Sequence, residues 1–230
     1  MSLEKRQKGL KLFEIKLVNQ QAALYAVKNW HYSKSLPASK LIRYGVFENG
    51  NFIGVVIYSR GASPYLGTSI GLDQTEVCEL TRIALDTHLT PVSQIVAETL
   101  RMLKSSNSGL RCVVSFADPK EGHKGGIYQA GNWIYTGKSN SVTEYLIDGR
   151  WMHTRNAYHH PKRPEAKSRT MPGKFRYLMP LDKQLRRQIM KLSLDYPYAV
   201  EGLEVSRADS FGEVQVQFLA TALEADNDSR

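Results

Sequence analysis

The sequence predicts a mixed α/β domain, and three patterns carry the prediction. Apolar segments of strand length alternate with two amphipathic helical segments. An Asn49-Gly50 pair between two strand-like segments is typical of a tight hairpin. A near-continuous apolar run over residues 111–117 is typical of a strand buried on both faces of a sheet. We therefore expect a mixed central sheet with flanking helices, followed by a basic C-terminal extension.

The first part of the chain predicts a helix and then a hairpin. Asn19 is a good N-cap for a helix that runs to Trp30. Residues 41–47 and 52–58 are strand-like, and the Asn49-Gly50 pair supplies the positive φ angles that the turn between them requires.

The middle of the chain predicts a right-handed strand-helix-strand unit with parallel strands. Residues 79–85 form the first strand, and Thr90 caps the following helix, with Pro91 in its first turn. An Asn107-Ser108-Gly109 turn ends this helix before the strand over residues 111–117. A short helix over residues 125–130 and strands over residues 133–136 and 143–147 follow.

Positive charge is unevenly placed along the chain. The whole chain has 31 Lys and Arg against 22 Asp and Glu, a net charge of +9. Residues 150–191 hold twelve Lys and Arg against two acids, a net charge of +10, whereas residues 201–230 hold seven acids against two Arg, a net charge of −5. A segment this basic favours a polyanionic partner, nucleic acid first, although a solvated surface is the alternative.

These shifts in composition divide the chain into three predicted parts. Residues 1–150 form the main domain, residues 151–200 form a basic DNA-binding extension packed on the same domain, and residues 201–230 form an acidic, partly disordered tail. A helix over residues 182–194 is expected in the extension. The VQVQF stretch of the tail is a candidate edge strand.

Composition also excludes several classes of protein. A chain of 230 residues with 42% hydrophobic residues can bury a sizeable core and is not largely disordered. No apolar stretch is long enough to span a bilayer, so we expect a soluble, cytoplasmic protein with no membrane partner. Cys78 and Cys112 lie in apolar runs and are expected to be buried and reduced. The oligomeric state stays open.

The element order and the phrase GIYQAGNWIYTG over residues 126–137 resemble the GNAT acetyltransferase superfamily. There, a Tyr on a short helix is followed five residues later by an aromatic residue that begins the next strand. Tyr128 and Trp133 hold those places. The resemblance implies a GNAT-like sheet with Tyr128 in the catalytic cleft, whereas the residues alone also fit a packed helix tyrosine.

Five dispersed motifs resemble the phage Mom family of DNA adenine-modification proteins more closely. They are His31-Tyr32-Ser33 with Pro37, CELTR at residues 78–82, SFADP at residues 115–119 with Gly122-His123, IYQAGNWIYTG, and the Arg-rich residues 181–192. The resemblance implies an enzyme that places a carbamoylmethyl group on the exocyclic N6 amine of adenine, which protects phage DNA from restriction enzymes. That amine is paired in the duplex, so the expected partner is double-stranded DNA with a flipped adenine.

The resemblance also bears on the group donor. A typical GNAT has a Gly-rich turn after its fourth strand, whose backbone N–H groups bind the pyrophosphate of coenzyme A. Here the turn over residues 86–93 has no glycine and Pro91 donates no N–H, which counts against acetyl-CoA and leaves another acyl or glycyl donor as the alternative. Thr90, Ser93 and Arg82 are the candidate cofactor contacts.

Several segments supply candidate catalytic residues. Asp118 ends a buried strand before Pro119, where it is either a general base at the carboxyl edge of the sheet or the acceptor of an Asx turn. His31 follows the first helix as an acid/base group or a helix cap, and Tyr32 beside it can stack on a base. Ser115 is expected to face the same cleft. Arg82 lies within a strand and therefore needs an acidic partner, either a phosphate or Asp118.

His31, Asp118 and His123 form a candidate metal site. Two His and one carboxylate with open positions suit redox-active iron, which the family resemblance also allows. Sequence spacing does not establish that ligands from two separate loops converge, so a site without metal stays open.

The basic segment supplies candidate DNA contacts. Lys and Arg neutralise phosphates, while interleaved aromatics such as Trp151 and Tyr158 stack on exposed bases. The tandem His159-His160 is expected at the surface because adjacent side chains point apart. The predicted DNA-binding residues are Arg155, Lys162, Arg163, Lys174, Arg176, Arg186 and Arg187.

Two other functions stay open at this stage. One is an N-acetyltransferase that acts on a small amine, a protein or a tRNA. The other is a non-catalytic DNA-binding protein on a GNAT-like scaffold, for which Asp118→Ala and His31→Ala would leave every cellular effect intact.

Overall fold

The computed structural model describes residues 13–197, which form two sheets and five α-helices. The strands are β1 (Phe13–Leu17), β2 (Leu41–Glu48), β3 (Asn51–Ser59), β4 (Val77–Leu85), β5 (Cys112–Ala117), β6 (Ile134–Lys138), β7 (Val142–Ile147), β8 (Arg150–His153), β9 (Ser168–Met171) and β10 (Phe175–Pro180). The helices are α1 (Gln20–Trp30), α2 (Val92–Ser106), α3 (Gly126–Ala130), α4 (Thr154–Ala157) and α5 (Lys183–Met190).

The larger sheet has seven strands in the order β1-β2-β3-β4-β5-β10-β6. Only the β4–β5 pair in this sheet is parallel, and all its other neighbours are antiparallel. The smaller sheet has the order β8-β7-β9 and is antiparallel. The predicted class, a mixed α/β fold with a mixed central sheet and flanking helices, is confirmed.

Local sequence signals position the first elements as expected. The Asn19 side chain accepts a hydrogen bond from the Ala22 backbone N–H at 2.9 Å, which caps α1. Asn49 and Gly50 have φ angles of 50° and 81°, the left-handed conformations that join β2 to β3 in a tight hairpin. The parallel crossover from β4 through α2 to β5 is also present, and its helix ends at Ser106 with Asn107 as the C-cap.

The basic segment contributes a strand that the sequence pattern did not predict. Strand β10 lies inside the sheet between β5 and β6, where Phe175, Tyr177 and Leu178 are buried. Arg176 interrupts this apolar run and Pro180 ends it, so the segment does not have the continuous apolar character of an internal strand. Part of residues 151–200 therefore belongs to the core of the fold. Strand β1 was missed as well, because its residues alternate with charge at the sheet edge.

The helices cover both faces of the larger sheet. Helices α2 and α3 pack on one face, where Ile95, Leu103 and Trp133 are buried. Helix α1 covers the other face over β3 and β4, and α5 covers it over β10 through Leu185 and Ile189. The predicted helix over residues 182–194 is thus present but ends earlier, at Met190.

Some expectations fall on residues that the structure does not describe. The VQVQF stretch and the acidic tail over residues 201–230 lie outside residues 13–197. Within that described range, no helix is long and apolar enough to cross a membrane. Both cysteines are free thiols; Cys112 is buried as predicted, whereas Cys78 is half-buried.

Candidate active site at the split between β4 and β5

The two parallel strands of the sheet stop pairing partway along their length, which leaves a split between them. Residues 77–80 of β4 pair with residues 112–115 of β5, and the pairing between the two strands ends at Leu80 and Ser115, beyond which β4 pairs only with β3 and β5 only with β10. The register between β3 and β4 shifts at the same point, which leaves Thr81 as a bulged residue. Its hydroxyl donates to the Ile57 carbonyl oxygen at 3.1 Å. The bulge turns β4 away from β5, so the side chains that follow border the split.

Tyr128 and Ser115 form a hydroxyl pair at the start of the split. The Ser115 hydroxyl lies 2.7 Å from the Tyr128 hydroxyl oxygen and 2.8 Å from the Leu80 carbonyl oxygen. The Tyr128 ring packs on Trp133 and Tyr177, with centroid distances of 5.1 Å to each. Burial raises the pKa of Tyr128 to about 12, so its hydroxyl keeps its proton at neutral pH. Tyr128 is therefore both a packed residue and a proton-bearing group at the split, which the sequence had left as alternatives.

A glycine with a positive φ angle allows α3 to hold Tyr128 in this place. Gly125 caps the helix at φ 87°, and a Cβ atom there would lie 2.3 Å from the Tyr177 ring. The Tyr177 hydroxyl donates to the Lys124 carbonyl oxygen at 2.6 Å. This close approach of backbone to ring sets where α3 begins, and therefore where the Tyr128 hydroxyl lies.

His31, Tyr32 and His123 form an aromatic cluster beside the split. The His31 and Tyr32 rings stack with a centroid distance of 4.3 Å, and the His123 ring meets Tyr32 edge-on at 5.5 Å. His31 Nδ1 accepts the Ser33 backbone N–H at 3.1 Å. Burial, followed by the charge of Arg82, lowers the pKa of His31 to about 4, so the imidazole is neutral at pH 7. Because Nδ1 is an acceptor, the proton of the neutral ring lies on Nε2.

Arg82 has partners different from those predicted. Its Nη1 donates to the Thr81 carbonyl oxygen at 2.7 Å and its Nε to the Ser35 carbonyl oxygen at 3.3 Å. Asp118, one of the two acidic partners that the sequence suggested, therefore pairs with Lys174 and not with Arg82, while a phosphate partner of Arg82 stays a prediction. Burial lowers the pKa of Arg82, and the negative charge of Glu79 opposes this shift.

Glu79 is a residue of the cleft that the sequence analysis did not single out. The Ala62 backbone N–H donates to its carboxylate, and Arg82 and Lys174 act on it electrostatically. Burial is the largest effect and raises the pKa of Glu79, while these three neighbours oppose the rise. The signal was available in principle, because a carboxylate inside the apolar strand of the CELTR motif needs a partner.

Asp118 is committed to contacts at the end of β5. Its Oδ1 accepts the Lys120 backbone N–H at 3.0 Å, which is the Asx turn that the sequence allowed. Its Oδ2 lies 2.7 Å from the Lys174 ammonium, and the Asp118 side chain is largely buried. Asp118 thus lies at the sheet edge as expected, but as half of an ion pair.

The predicted metal site is not assembled. Across residues 13–197, no group of three or more His, Cys, Asp or Glu side chains is placed to hold a metal ion. The Asp118 carboxylate is taken by Lys174 and Lys120, and His31 Nδ1 by Ser33. In the described part of the chain, His31, Asp118 and His123 are therefore not assembled as a three-ligand set for iron.

The turn before α2 also differs from the prediction. Helix α2 begins at Val92 with Pro91 as its N-cap residue, and Thr90 does not cap it. Thr90 is buried, and its hydroxyl donates instead to Glu48 Oε1 at 2.6 Å. The contact of Thr90 with a cofactor stays a prediction, and a cofactor there would compete with the Glu48 carboxylate for the donors of Thr90. Ser93 lies in the first turn of α2, where it is half-buried.

Most of the predicted DNA-binding residues have internal partners. Arg163 lies between the rings of Tyr145 and Tyr158, at 5.0 and 5.3 Å from their centroids. Arg176 donates to the Thr136 and Ser69 hydroxyls, each at 2.9 Å, and burial lowers its pKa. Lys162 pairs with Asp148, and Lys174 pairs with Asp118. These four side chains therefore already have partners within the protein, with which a DNA phosphate would have to compete.

The other three predicted DNA-binding residues are Arg155, Arg186 and Arg187. Arg155 on α4 donates from Nη1 to the Ala62 carbonyl oxygen at 3.4 Å. The backbone N–H of the same residue, Ala62, donates to the Glu79 carboxylate. The small sheet is thus connected to the loop that holds the cleft carboxylate. On α5, Arg186 is half-buried and Arg187 is exposed, opposite the buried Leu185 and Ile189.

The fold and the split define an α/β protein with a polar cleft between two diverging parallel strands. A model of the Mom protein family matches residues 12–198, so the chain belongs to the Mom family. It is 28% identical over 205 residues to the methylcarbamoylase mom of Escherichia phage Mu, covering 83% of this chain and 85% of that protein. The family resemblance drawn from the motifs is confirmed.

Solved structures similar to this one include acetyltransferases. A spermidine/spermine N-acetyltransferase SpeG from Vibrio cholerae is 12% identical with a TM-score of 0.44, covering 76% of this chain and 96% of that one. A probable acetyltransferase from Staphylococcus epidermidis is 9% identical with a TM-score of 0.43, covering 74% and 99% of the two chains.

Proposed function

We propose that this protein transfers a carbamoylmethyl group to the exocyclic N6 amine of adenine in double-stranded DNA, and so protects phage DNA from restriction. The family match over nearly the whole described fold carries the proposal. The cleft supports it, since motifs far apart in the sequence meet there. His31 and Tyr32 follow α1, Arg82 comes from β4, Ser115 from β5 and Tyr128 from α3.

The accessible aromatic edge of the cleft suits a flipped base. Tyr32 is 46% exposed although its ring stacks on the buried His31. A rigid, half-exposed ring is a surface on which an extruded adenine can stack, and such stacking offsets the few kcal/mol of unpairing. We assign Tyr32 to base binding, and the neutral His31 behind it to hydrogen bonding with the bound base.

The chemistry needs a group that accepts a proton. When the N6 amine forms a bond to the CH₂ carbon of the donor, the bond from that carbon to the donor's leaving group breaks, the leaving group departs with the electron pair, and the amine loses one proton. Glu79 has its pKa raised by burial and lies close to Arg82, whereas Asp118 is held in an ion pair with Lys174. These surroundings favour Glu79 over Asp118 as the acceptor, with the Tyr128 hydroxyl as a proton donor at the split.

The product restricts the class of reaction. The adenine amine is a weak nucleophile because its lone pair is delocalised into the ring. Attack on a thioester carbonyl would give an acyl-adenine, whereas the carbamoylmethyl product is bonded through its CH₂ carbon. Polarising a carbonyl in an oxyanion hole is therefore not sufficient, and the donor must present an electrophilic CH₂ group.

Exposed residues of the basic segment are assigned to the DNA backbone. Arg155 lies next to the loop that binds Glu79, and Tyr158 after α4 is 61% exposed. Arg187 on α5 is exposed as well. Phosphate contacts of this kind hold the duplex without reading its sequence, so we assign them to positioning.

The proposal is tested in bacteria that express the protein. Their DNA is digested to nucleosides, and mass spectrometry is used to detect an adenosine heavier by one carbamoylmethyl group. We expect this nucleoside with the natural chain and its loss with Glu79→Gln or His31→Ala. Unmodified adenosine from cells that contain folded protein would overturn the proposal. Full modification by both variants would remove these residues from the site.

A further inference from the structure

A buried carboxylate occupies the turn between β4 and α2. Glu48, the last residue of β2, is only 8% exposed. Its Oε2 accepts the Leu89 backbone N–H at 2.9 Å, and its Oε1 accepts the Thr90 backbone N–H at 2.8 Å and the Thr90 hydroxyl at 2.6 Å. Three donors from two consecutive residues thus converge on one carboxylate that is brought there from another strand.

Consecutive backbone N–H groups just before a helix are a common arrangement for binding an anion. In this protein the anion is part of the chain. These hydrogen bonds lower the pKa of Glu48, so the carboxylate is charged at neutral pH. The Asn49-Gly50 turn fixes the end of β2, which holds Glu48 in place.

The residue that follows these donors adds none of its own. Pro91 at the N-cap has no N–H, and its carbonyl oxygen already accepts the Gln94 N–H at 3.0 Å. His88 Nδ1 lies 2.8 Å from the Thr90 carbonyl oxygen, which ties the turn to itself. An external phosphate would have to displace a charged and buried carboxylate to reach the Leu89 and Thr90 amides.

We infer that Glu48 is a built-in anion that closes this turn to phosphate, so that the group donor is not held here by the pyrophosphate of coenzyme A. Residues 86–93 therefore do not fit acetyl-CoA as an acetyltransferase would hold it. Glu48 stabilises the β4–α2 connection in place of a cofactor. The donor binds through other contacts, whichever acceptor the enzyme modifies, so this inference is independent of the proposed function.

The test is a titration of the full, ¹⁵N-labelled chain with coenzyme A, followed through the amide signals of Leu89 and Thr90. We expect millimolar coenzyme A to leave both signals unmoved in the natural protein. Movement of other signals alone would place coenzyme A elsewhere and would support the closed turn. Movement of the Leu89 and Thr90 signals would overturn it, and this measurement requires no variant.

A second arm asks whether Glu48 itself closes the turn. In Glu48→Ala the amides lose their internal acceptor, so we expect inorganic phosphate to shift both signals at a concentration at least ten times lower than in the natural protein. Glu98→Gln removes one negative charge from the outer face of α2, where Glu98 pairs with Arg101, and serves as the control for net charge. An equal response to phosphate in all three proteins would contradict the assignment to Glu48.

Discussion

Tyr128→Phe separates the chemical role of the Tyr128 hydroxyl from its structural role. The change removes the 2.7 Å contact with the Ser115 hydroxyl and keeps the ring that packs on Trp133. Ser115 retains the Leu80 carbonyl oxygen as a partner, so no buried polar group is left unsatisfied. The expected loss in the free energy of unfolding is therefore that of one ordinary hydrogen bond, about 1 kcal/mol. For a domain of this size, that loss lowers the melting temperature by roughly 2–4 °C.

Tyr58→Phe is a matched control for this change. The Tyr58 hydroxyl is also buried and lies 2.8 Å from the Thr99 hydroxyl, which keeps the Val96 carbonyl oxygen as a partner. Tyr58 pairs with Leu80 beside the split, but its hydroxyl is bound to Thr99 of α2 inside the core and not to a residue of the cleft. We expect the same small loss of stability, about 1 kcal/mol, in urea denaturation of both variants.

The activity of the two variants should differ. If the Tyr128 hydroxyl supplies a proton in the reaction, Tyr128→Phe lowers the rate of adenine modification by on the order of 10² or more. Tyr58→Phe should modify DNA at the natural rate. The assay is the modified fraction of adenosine after a fixed time at a temperature well below both melting transitions. Equal rates in the two variants would refute a chemical role for Tyr128.

Three further predictions concern charge, DNA binding and backbone strain. Because the folded His31 has a pKa of about 4 while an unfolded imidazole titrates near 6.5, the unfolded state binds more protons between these values. The free energy of unfolding should therefore rise with pH from about 4 to about 6.5, less steeply in His31→Gln, and equal slopes in urea denaturation would contradict the assignment. Replacing Arg186 and Arg187 by Ala should weaken duplex binding and reduce the salt slope by up to about two, with no change in sequence preference, and an unchanged slope would remove both from the interface. Gly125→Ala should destabilise the fold by more than about 1 kcal/mol, because the added Cβ atom meets the Tyr177 ring, whereas Gly126→Ala has open space and should not; similar melting curves would argue against this packing.

The parts of the fold that could be predicted from the sequence are those set by short stretches of residues. The Asn19 cap and the Asn49-Gly50 turn act within a few residues, so α1 and the β2–β3 hairpin follow from short stretches of sequence. Strand β10 does not, because it becomes internal only through pairing with β5 and β6. Its Arg176 is accommodated by the Thr136 and Ser69 hydroxyls, which are far away in the sequence.

The candidate site shows the same contrast between local sequence signals and contacts that depend on the fold. His31, Tyr32, Ser115 and Tyr128 were predicted from motifs, and the structure brings them to one split. Glu48 could not be foreseen as the partner of Thr90, because the two are 42 residues apart and the pairing depends on how β2 ends beside α2. The pairing of Arg82 with Asp118 is not formed for a similar reason. Asp118 pairs instead with Lys174, which directly precedes the unpredicted strand β10.

The central claim is that this cleft modifies the adenine amine in DNA, and fragmentation mass spectrometry of nucleosides tests it most directly. DNA from cells expressing the natural chain, Tyr58→Phe or Tyr128→Phe is digested, and the mass of the free base is read after loss of deoxyribose. We expect adenine heavier by one carbamoylmethyl group with the natural chain and Tyr58→Phe, and a much smaller amount of it with Tyr128→Phe. Only unmodified adenine with the natural, folded chain, or an acetyl group in its place, would contradict the account.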